Sequence, residues 1–126
     1  IDLKTAKALR SEFTGFTAWE TARDPARRRL FVSIPFRSIV AVVDEKTLKV
    51  VREIPSGLGA RALAADVTGR RLFVGSQLSS TVEVFDLDSF KRIGRFYVFM
   101  PRYFVYDVTK HELFTAGTAG IYKIKI

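Results

Sequence analysis

The sequence contains no cysteine and only one histidine, His111, and these two shortages limit the chemistry open to it. Without cysteine the chain has no disulfide, no thiolate metal ligand and no cysteine nucleophile. His111 lies in a predicted turn, away from the other candidate residues, so the sequence does not provide a histidine-based catalytic triad. The carboxylates are dispersed among turns without the spacing of metal ligands. We therefore expect no catalytic residue, no metal site and no cofactor.

Long apolar runs and helical periodicity are also missing. No stretch approaches the roughly 20 consecutive apolar residues of a membrane-spanning helix. The hydrophobic content of 48% comes instead in short runs such as Ile39 to Val43 and Leu72 to Val74, which do not alternate cleanly. Such runs are typical of strands that are covered on both faces. The 126 residues fit one domain, which we predict to be all-β.

The chain repeats itself about every 42 residues. Six aspartates mark the repeat in two series: Asp2, Asp44 and Asp86, and Asp24, Asp66 and Asp107. A period in the forties with several short strands in each unit is the signature of β-propeller blades. We predict about three blades of four strands, named a to d from the axis outward, over residues 14–55, 56–97 and 98–126.

The repeat does not begin and end at blade boundaries: one strand is missing at the C-terminal end and one extra strand is present at the N-terminal end. The last blade lacks a d strand, and residues 1–13 read as a d strand without a blade, so Leu3 to Arg10 is expected to pair beside Tyr122 to Ile126. Three blades cannot close a ring, because propellers need about four to eight. Two alternatives stay open: a fragment of a larger propeller, or two copies that exchange d strands and form a six-bladed ring about a twofold axis.

The repeated aspartates are interpreted as turn residues. Their carboxylates are expected to accept backbone N–H groups in the c–d turns after Asp2, Asp44 and Asp86, and in the a–b turns after the second series. A catalytic residue would more often break the repeat than obey it.

The net charge of +8 has a structural explanation in the same repeat. Lysines and arginines recur in the predicted outer strands, where they discourage edge-to-edge pairing. No recognition helix or basic stripe with interleaved aromatics is evident, so we do not expect sequence-specific binding of nucleic acid.

Four residues depart from the repeat at one end of the predicted channel. Trp19, Arg61 and Arg102 align at the start of the inner strand, and Arg37 lies in the first b–c loop. Guanidinium groups bind carboxylate or phosphate, and an indole offers a stacking surface, so these residues form the candidate ligand-binding site. In the alternative interpretation the arginines only pair with neighbours and Trp19 packs between blades.

Two segments, RRLFVG and TVEVFDLDSFKRIG, resemble the YVTN-type β-propeller repeat, whose relatives include lactonase and NHL-like propellers. The C-terminal HELFTAGTAGIYKIKI departs from the pattern, with a b–c loop two residues shorter and Ile126 where an aspartate is expected. The resemblance implies a propeller that binds or scaffolds a partner, often in exported proteins. The alternative is that the chain is part of a lactonase-like hydrolase, whose catalytic residues lie in other blades or in a second subunit.

Overall fold

The computed structural model describes residues 7, 8, 11, 12 and 17–126. In this part every regular element is a strand apart from two short 3₁₀ turns, at Pro25–Arg27 and Pro35–Arg37. The strands are β1 Thr21–Asp24, β2 Arg29–Ile34, β3 Ile39–Asp44, β4 Val50–Pro55, β5 Ala60–Asp66, β6 Arg71–Ser76, β7 Thr81–Asp86, β8 Arg92–Tyr97, β9 Pro101–Asp107, β10 Glu112–Gly117 and β11 Gly120–Lys125. The all-β prediction is confirmed, as are the four strands expected in the second unit. No helix among the described residues is long and apolar enough to cross a membrane.

The strands form three antiparallel sheets in chain order. Sheet 1 contains β1 to β4, sheet 2 contains β5 to β8, and sheet 3 contains β9 to β11. Within the described residues β11 is the outer strand of sheet 3 and pairs only with β10. The predicted pairing of Leu3 to Arg10 with this edge falls mostly outside the described residues.

The c–d turns are built as predicted. The Asp44 carboxylate accepts the backbone N–H groups of Lys46 and Thr47 at 2.9 and 2.8 Å. Asp86 accepts those of Asp88 and Ser89 at 2.9 and 2.6 Å. These bonds stabilise the tight turn into the outer strand, which is the structural role predicted for both carboxylates. Asp2 lies outside the described residues.

The prediction for the a–b turns holds at two positions and is wrong at Asp24. Asp66 accepts the N–H of Gly69 at 2.9 Å, and Asp107 accepts that of Thr109 at 2.9 Å. Asp24 makes no such bond to its own turn. Its fully buried carboxylate instead receives both terminal nitrogens of Arg70, from sheet 2, at 2.8 Å. Charged guanidinium donors bind a carboxylate more strongly than a backbone N–H does, and they tie the two sheets together.

The strand register also corrects one alignment at the end of the chain. Arg71 pairs with Asp86 in sheet 2, and its counterpart Glu112 pairs with Lys125 in sheet 3. Lys125, and not Ile126, therefore takes the place of the repeated aspartate. The loop between β10 and β11 is two residues shorter than its counterpart, as the sequence predicted.

Two apolar layers hold the sheets face to face. The layer between sheets 1 and 2 includes Phe31, Ile54, Leu72 and Val74. The layer between sheets 2 and 3 includes Phe73, Val82, Phe104 and Leu113. Gly75 is required in the second layer, because a Cβ atom there would lie 2.7 Å from Cζ of Phe104. Successive sheets thus pack face to face, each covering the next.

Candidate functional site

Loops from the first two sheets meet at one end of the structure. The Gln77 and Leu78 N–H groups donate to the carbonyls of Gly59 and Leu58 at 3.0 and 3.1 Å. Ser56 N–H donates to the Ser38 carbonyl at 3.0 Å. These bonds join the β2–β3, β4–β5 and β6–β7 loops into one surface, which we call the loop face.

A cleft of about 230 Å³ opens on the loop face. We call it the loop-face cleft, and its walls are Thr17, Trp19, Pro35, Phe36, Gly59, Arg61, Gln77 and Leu78. Three of its apolar side chains are strongly exposed: Trp19 at 48%, Phe36 at 86% and Leu78 at 74%. Exposed apolar side chains that line one cleft make it a candidate binding site.

Arg61 is a wall of the loop-face cleft and stacks on the indole of Trp19. Its Cζ atom is 3.6 Å from the centroid of the Trp19 ring. Its Nη1 donates to Oε1 of Gln77 at 2.7 Å, while its buried Nε has no hydrogen-bond partner. A guanidinium carries five N–H donors, so this contact leaves most of its donor capacity unused.

Hydrogen bonds between the sheets hold the stacked pair in place. Oγ of Ser33 donates to the Arg61 carbonyl at 2.7 Å and accepts the Glu20 N–H at 3.1 Å. Oε2 of Glu20 accepts the N–H of Leu63 at 3.0 Å. Burial raises the pKa of the Glu20 carboxyl, and the bond from Leu63 opposes that rise. Glu20 therefore positions the inner strands beneath the loop-face cleft.

The structure separates the four residues of the sequence-based site. Trp19 and Arg61 are in contact. Arg37 is exposed and forms a bidentate pair with Glu53, at 3.1 and 2.8 Å. Arg102 is exposed at the start of β9 and is not a wall of the loop-face cleft.

Sequence reasoning missed the two apolar walls, Phe36 and Leu78. They occupy equivalent positions 42 residues apart in successive b–c loops. Large apolar side chains at the same position of two successive b–c loops were the pattern that could have identified these walls.

His111 lies at the opposite end of the sheets. Its Nδ1 is 3.1 Å from the hydroxyl of Tyr106, which donates to Asp66 at 3.0 Å. Burial raises the pKa of Tyr106, and the bond to Asp66 raises it further. Among the described residues no group of three or more His, Cys, Asp or Glu is arranged to hold a metal ion.

Comparison with known proteins identifies a fold and not a family. No family model matches the chain, and no curated protein matches it. Among solved structures the chain is similar to hydrazine synthase of Kuenenia stuttgartiensis, a protein that contains a β-propeller, with a TM-score of 0.79 and 20% sequence identity. The match covers 95% of this chain and 36% of that chain, so the present chain spans about a third of the length of that protein. At this identity the likeness is one of fold alone.

Proposed function

We propose that this chain is a non-enzymatic β-propeller module of the YVTN repeat type that binds a protein partner through its loop-face cleft. The observation that carries the proposal is the Arg61 guanidinium stacked on Trp19 inside exposed apolar surface. Tryptophan and arginine are the residues most enriched among those that dominate binding energy at protein interfaces.

The chemistry of the loop-face cleft selects the docking segment. Phe36 and Leu78 offer apolar walls, and among the described walls only Arg61 is charged. A segment with an apolar side chain next to a carboxylate would satisfy both parts. Arg37 adds no free positive charge nearby, because Glu53 neutralises it.

Trp19 is the only tryptophan, so its fluorescence reports directly on the loop-face cleft. We expect N-acetylphenylalanine to change that fluorescence saturably at millimolar concentration. The uncharged N-acetylphenylalanine amide should bind at least about 10 times more weakly, because a hydrogen bond to a charged group contributes about 1.5 kcal/mol or more. Fluorescence titration of the two compounds measures the difference.

Two matched variants control this titration. Arg61→Gln should abolish the preference for the carboxylate, whereas Arg37→Gln should preserve it, because Arg37 already pairs with Glu53. An equal loss in both variants would attribute the preference to general surface charge. The absence of saturation with either compound would reject the loop-face cleft as a binding site.

We further propose that the three sheets are blades of a closed propeller whose remaining blades come from a second copy or from a longer chain. Support comes from the outward face of sheet 3. Tyr103, Val105 and Ile121 are 52%, 68% and 84% exposed there. Their counterparts in sheet 2 include Ala62 and Val82, which sheet 3 buries completely. The exposed face of sheet 3 thus corresponds to the face of sheet 2 that the next sheet covers.

The mass of the polypeptide in solution tests that architecture. If a second copy completes the ring, light scattering should give twice the chain mass of 14.2 kDa. Ile121→Asp should then return the protein to a monomer without loss of folded structure, because Ile121 is exposed within the chain. Phe36→Asp, at a side chain of similar exposure that lies in a loop and not on a sheet face, is the matched control and should leave the mass unchanged. A monomer at all concentrations would exclude the second copy and leave the longer chain.

A further inference from the structure

A second cavity lies at the outer junction of sheets 1 and 2. Its volume is about 390 Å³, and we call it the junction pocket. Its walls include Ser79, Thr81, Glu83, Arg92 and Arg95 of sheet 2 and its loops. The volume is within the range of small-molecule sites in proteins, about 300 to 1,000 Å³.

The repeat supplies an internal control for the junction pocket. Sheet 1 places Ile39, Ala41 and Val50 at the positions that Thr81, Glu83 and Arg92 occupy in sheet 2. Sheet 1 therefore forms the same strands without these polar groups. The blade fold does not require them, so their presence at one junction calls for a separate explanation.

Glu83 is a wall of the junction pocket and is buried, with only 4% of the residue exposed. Its Oε1 accepts the N–H of Gly57 at 2.5 Å, and its Oε2 accepts Nη1 of Arg92 at 3.0 Å. Each carboxylate oxygen has a further lone pair, so Glu83 can accept more hydrogen bonds. The hydroxyls of two further walls, Ser79 and Thr81, are 2.9 Å apart.

Arg95 supplies charge that the junction pocket does not neutralise. It pairs in register with Glu83, so both side chains are on the same face of sheet 2. Glu83 is already bound to Arg92, and within the described residues no hydrogen bond or ion pair engages the Arg95 guanidinium. The charged walls, Arg92, Arg95 and Glu83, therefore sum to one net positive charge.

We propose that the junction pocket binds a phosphate monoester of a small hydroxylated compound, such as a sugar phosphate. The phosphate oxygens match the planar donors of Arg95. A bare anion would be repelled by Glu83, so the part of the ligand next to that carboxylate must donate hydrogen bonds, as sugar hydroxyls do. Ser79 and Thr81 can donate to the ligand or accept from it.

Isothermal titration calorimetry with glucose 6-phosphate, inorganic phosphate and glucose tests the site. Glucose 6-phosphate should bind saturably and about tenfold or more tighter than inorganic phosphate, and glucose alone should not bind measurably. Arg95→Gln should weaken glucose 6-phosphate binding about tenfold or more. Arg102→Gln, which removes an exposed arginine that is not a wall of the junction pocket, should leave glucose 6-phosphate binding unchanged.

Three outcomes would overturn the proposal: no saturable binding of glucose 6-phosphate, equal binding of inorganic phosphate, or equal losses in the Arg95 and Arg102 variants. Glu83→Gln should remove the advantage of glucose 6-phosphate over inorganic phosphate. If that variant fails to fold, Arg95→Gln still decides the question, because Arg95 is exposed. Trp19 fluorescence should not respond to glucose 6-phosphate, which keeps this test separate from that of the loop-face cleft.

Discussion

Replacing Asp24 by Asn is expected to lower the free energy of unfolding by about 3 kcal/mol or more. The Asp24 carboxylate is fully buried and receives Arg70 in a bidentate pair and Arg29 at 3.0 Å. Removing the Asp24 charge leaves Arg29 without its ion-pair partner and leaves Arg70 with Asp88 alone, and breaking a buried ion pair costs about 3 to 5 kcal/mol. Asparagine keeps the size of the side chain, so the loss is one of charge and not of packing. Urea denaturation followed by circular dichroism measures it.

Asp88→Asn is the matched control for Asp24→Asn. Asp88 accepts the same arginine, Arg70, at 2.8 Å, but its side chain is 43% exposed. Hydrogen bonds from Arg70 and Arg27 hold the pKa of Asp88 at about 2, yet water can solvate both partners when the pair is broken. The control should therefore lose little stability. Equal losses in the two variants would show that burial of Asp24 is not the source of its effect.

The pH dependence of stability provides a second measurement on the same carboxylate. Hydrogen bonds from Arg70 and then Arg29 lower the pKa of Asp24 against its burial. For a carboxyl whose pKa is lower in the folded state, the stabilisation is complete above the unfolded pKa, near 4. It is lost as the pH falls through the folded pKa. The wild-type protein should thus lose stability below about pH 4, and Asp24→Asn should show a smaller loss there.

The repeat made the strands and the c–d turns predictable, because both depend on residues close in sequence. Asp44 and its N–H donors are two and three residues apart, so the pattern contains the whole interaction. Asp24 and Arg70 are 46 residues apart, in different sheets. The local sequence around Asp24 resembles that around Asp66, so the contact with Arg70, which depends on the packing of sheet 2 on sheet 1, could not be predicted from it.

The candidate site divides in the same way. Alignment of the repeat placed Trp19 just before β1 and Arg61 near the start of β5, where the two side chains stack. It could not show that Arg37 is engaged by Glu53, since that pair depends on the direction in which two long side chains extend. The junction pocket was missed because Glu83, Arg92 and Arg95 alternate with apolar residues and read as ordinary strand positions.

Phe73→Ala is expected to lower the free energy of unfolding by about 3 to 5 kcal/mol, as phenylalanine truncation does in a packed core. Phe73 is completely buried between sheets 2 and 3, and its ring centroid lies 5.1 Å from that of Tyr106. The neighbours Val82 and Leu113 are also fully buried, so little rearrangement is available to fill the cavity. Urea denaturation again provides the measurement.

Phe36→Ala makes the same chemical change on the loop face and serves as the control for Phe73→Ala. Phe36 is 86% exposed, so its truncation should change stability by less than about 0.5 kcal/mol. It should nevertheless weaken N-acetylphenylalanine binding, because Phe36 is a wall of the loop-face cleft. A small loss for Phe73→Ala would mean that sheet 3 is not firmly packed on sheet 2. A large loss for Phe36→Ala would mean that this ring supports the fold, and the loop-face cleft would then lose its apolar wall as a binding surface.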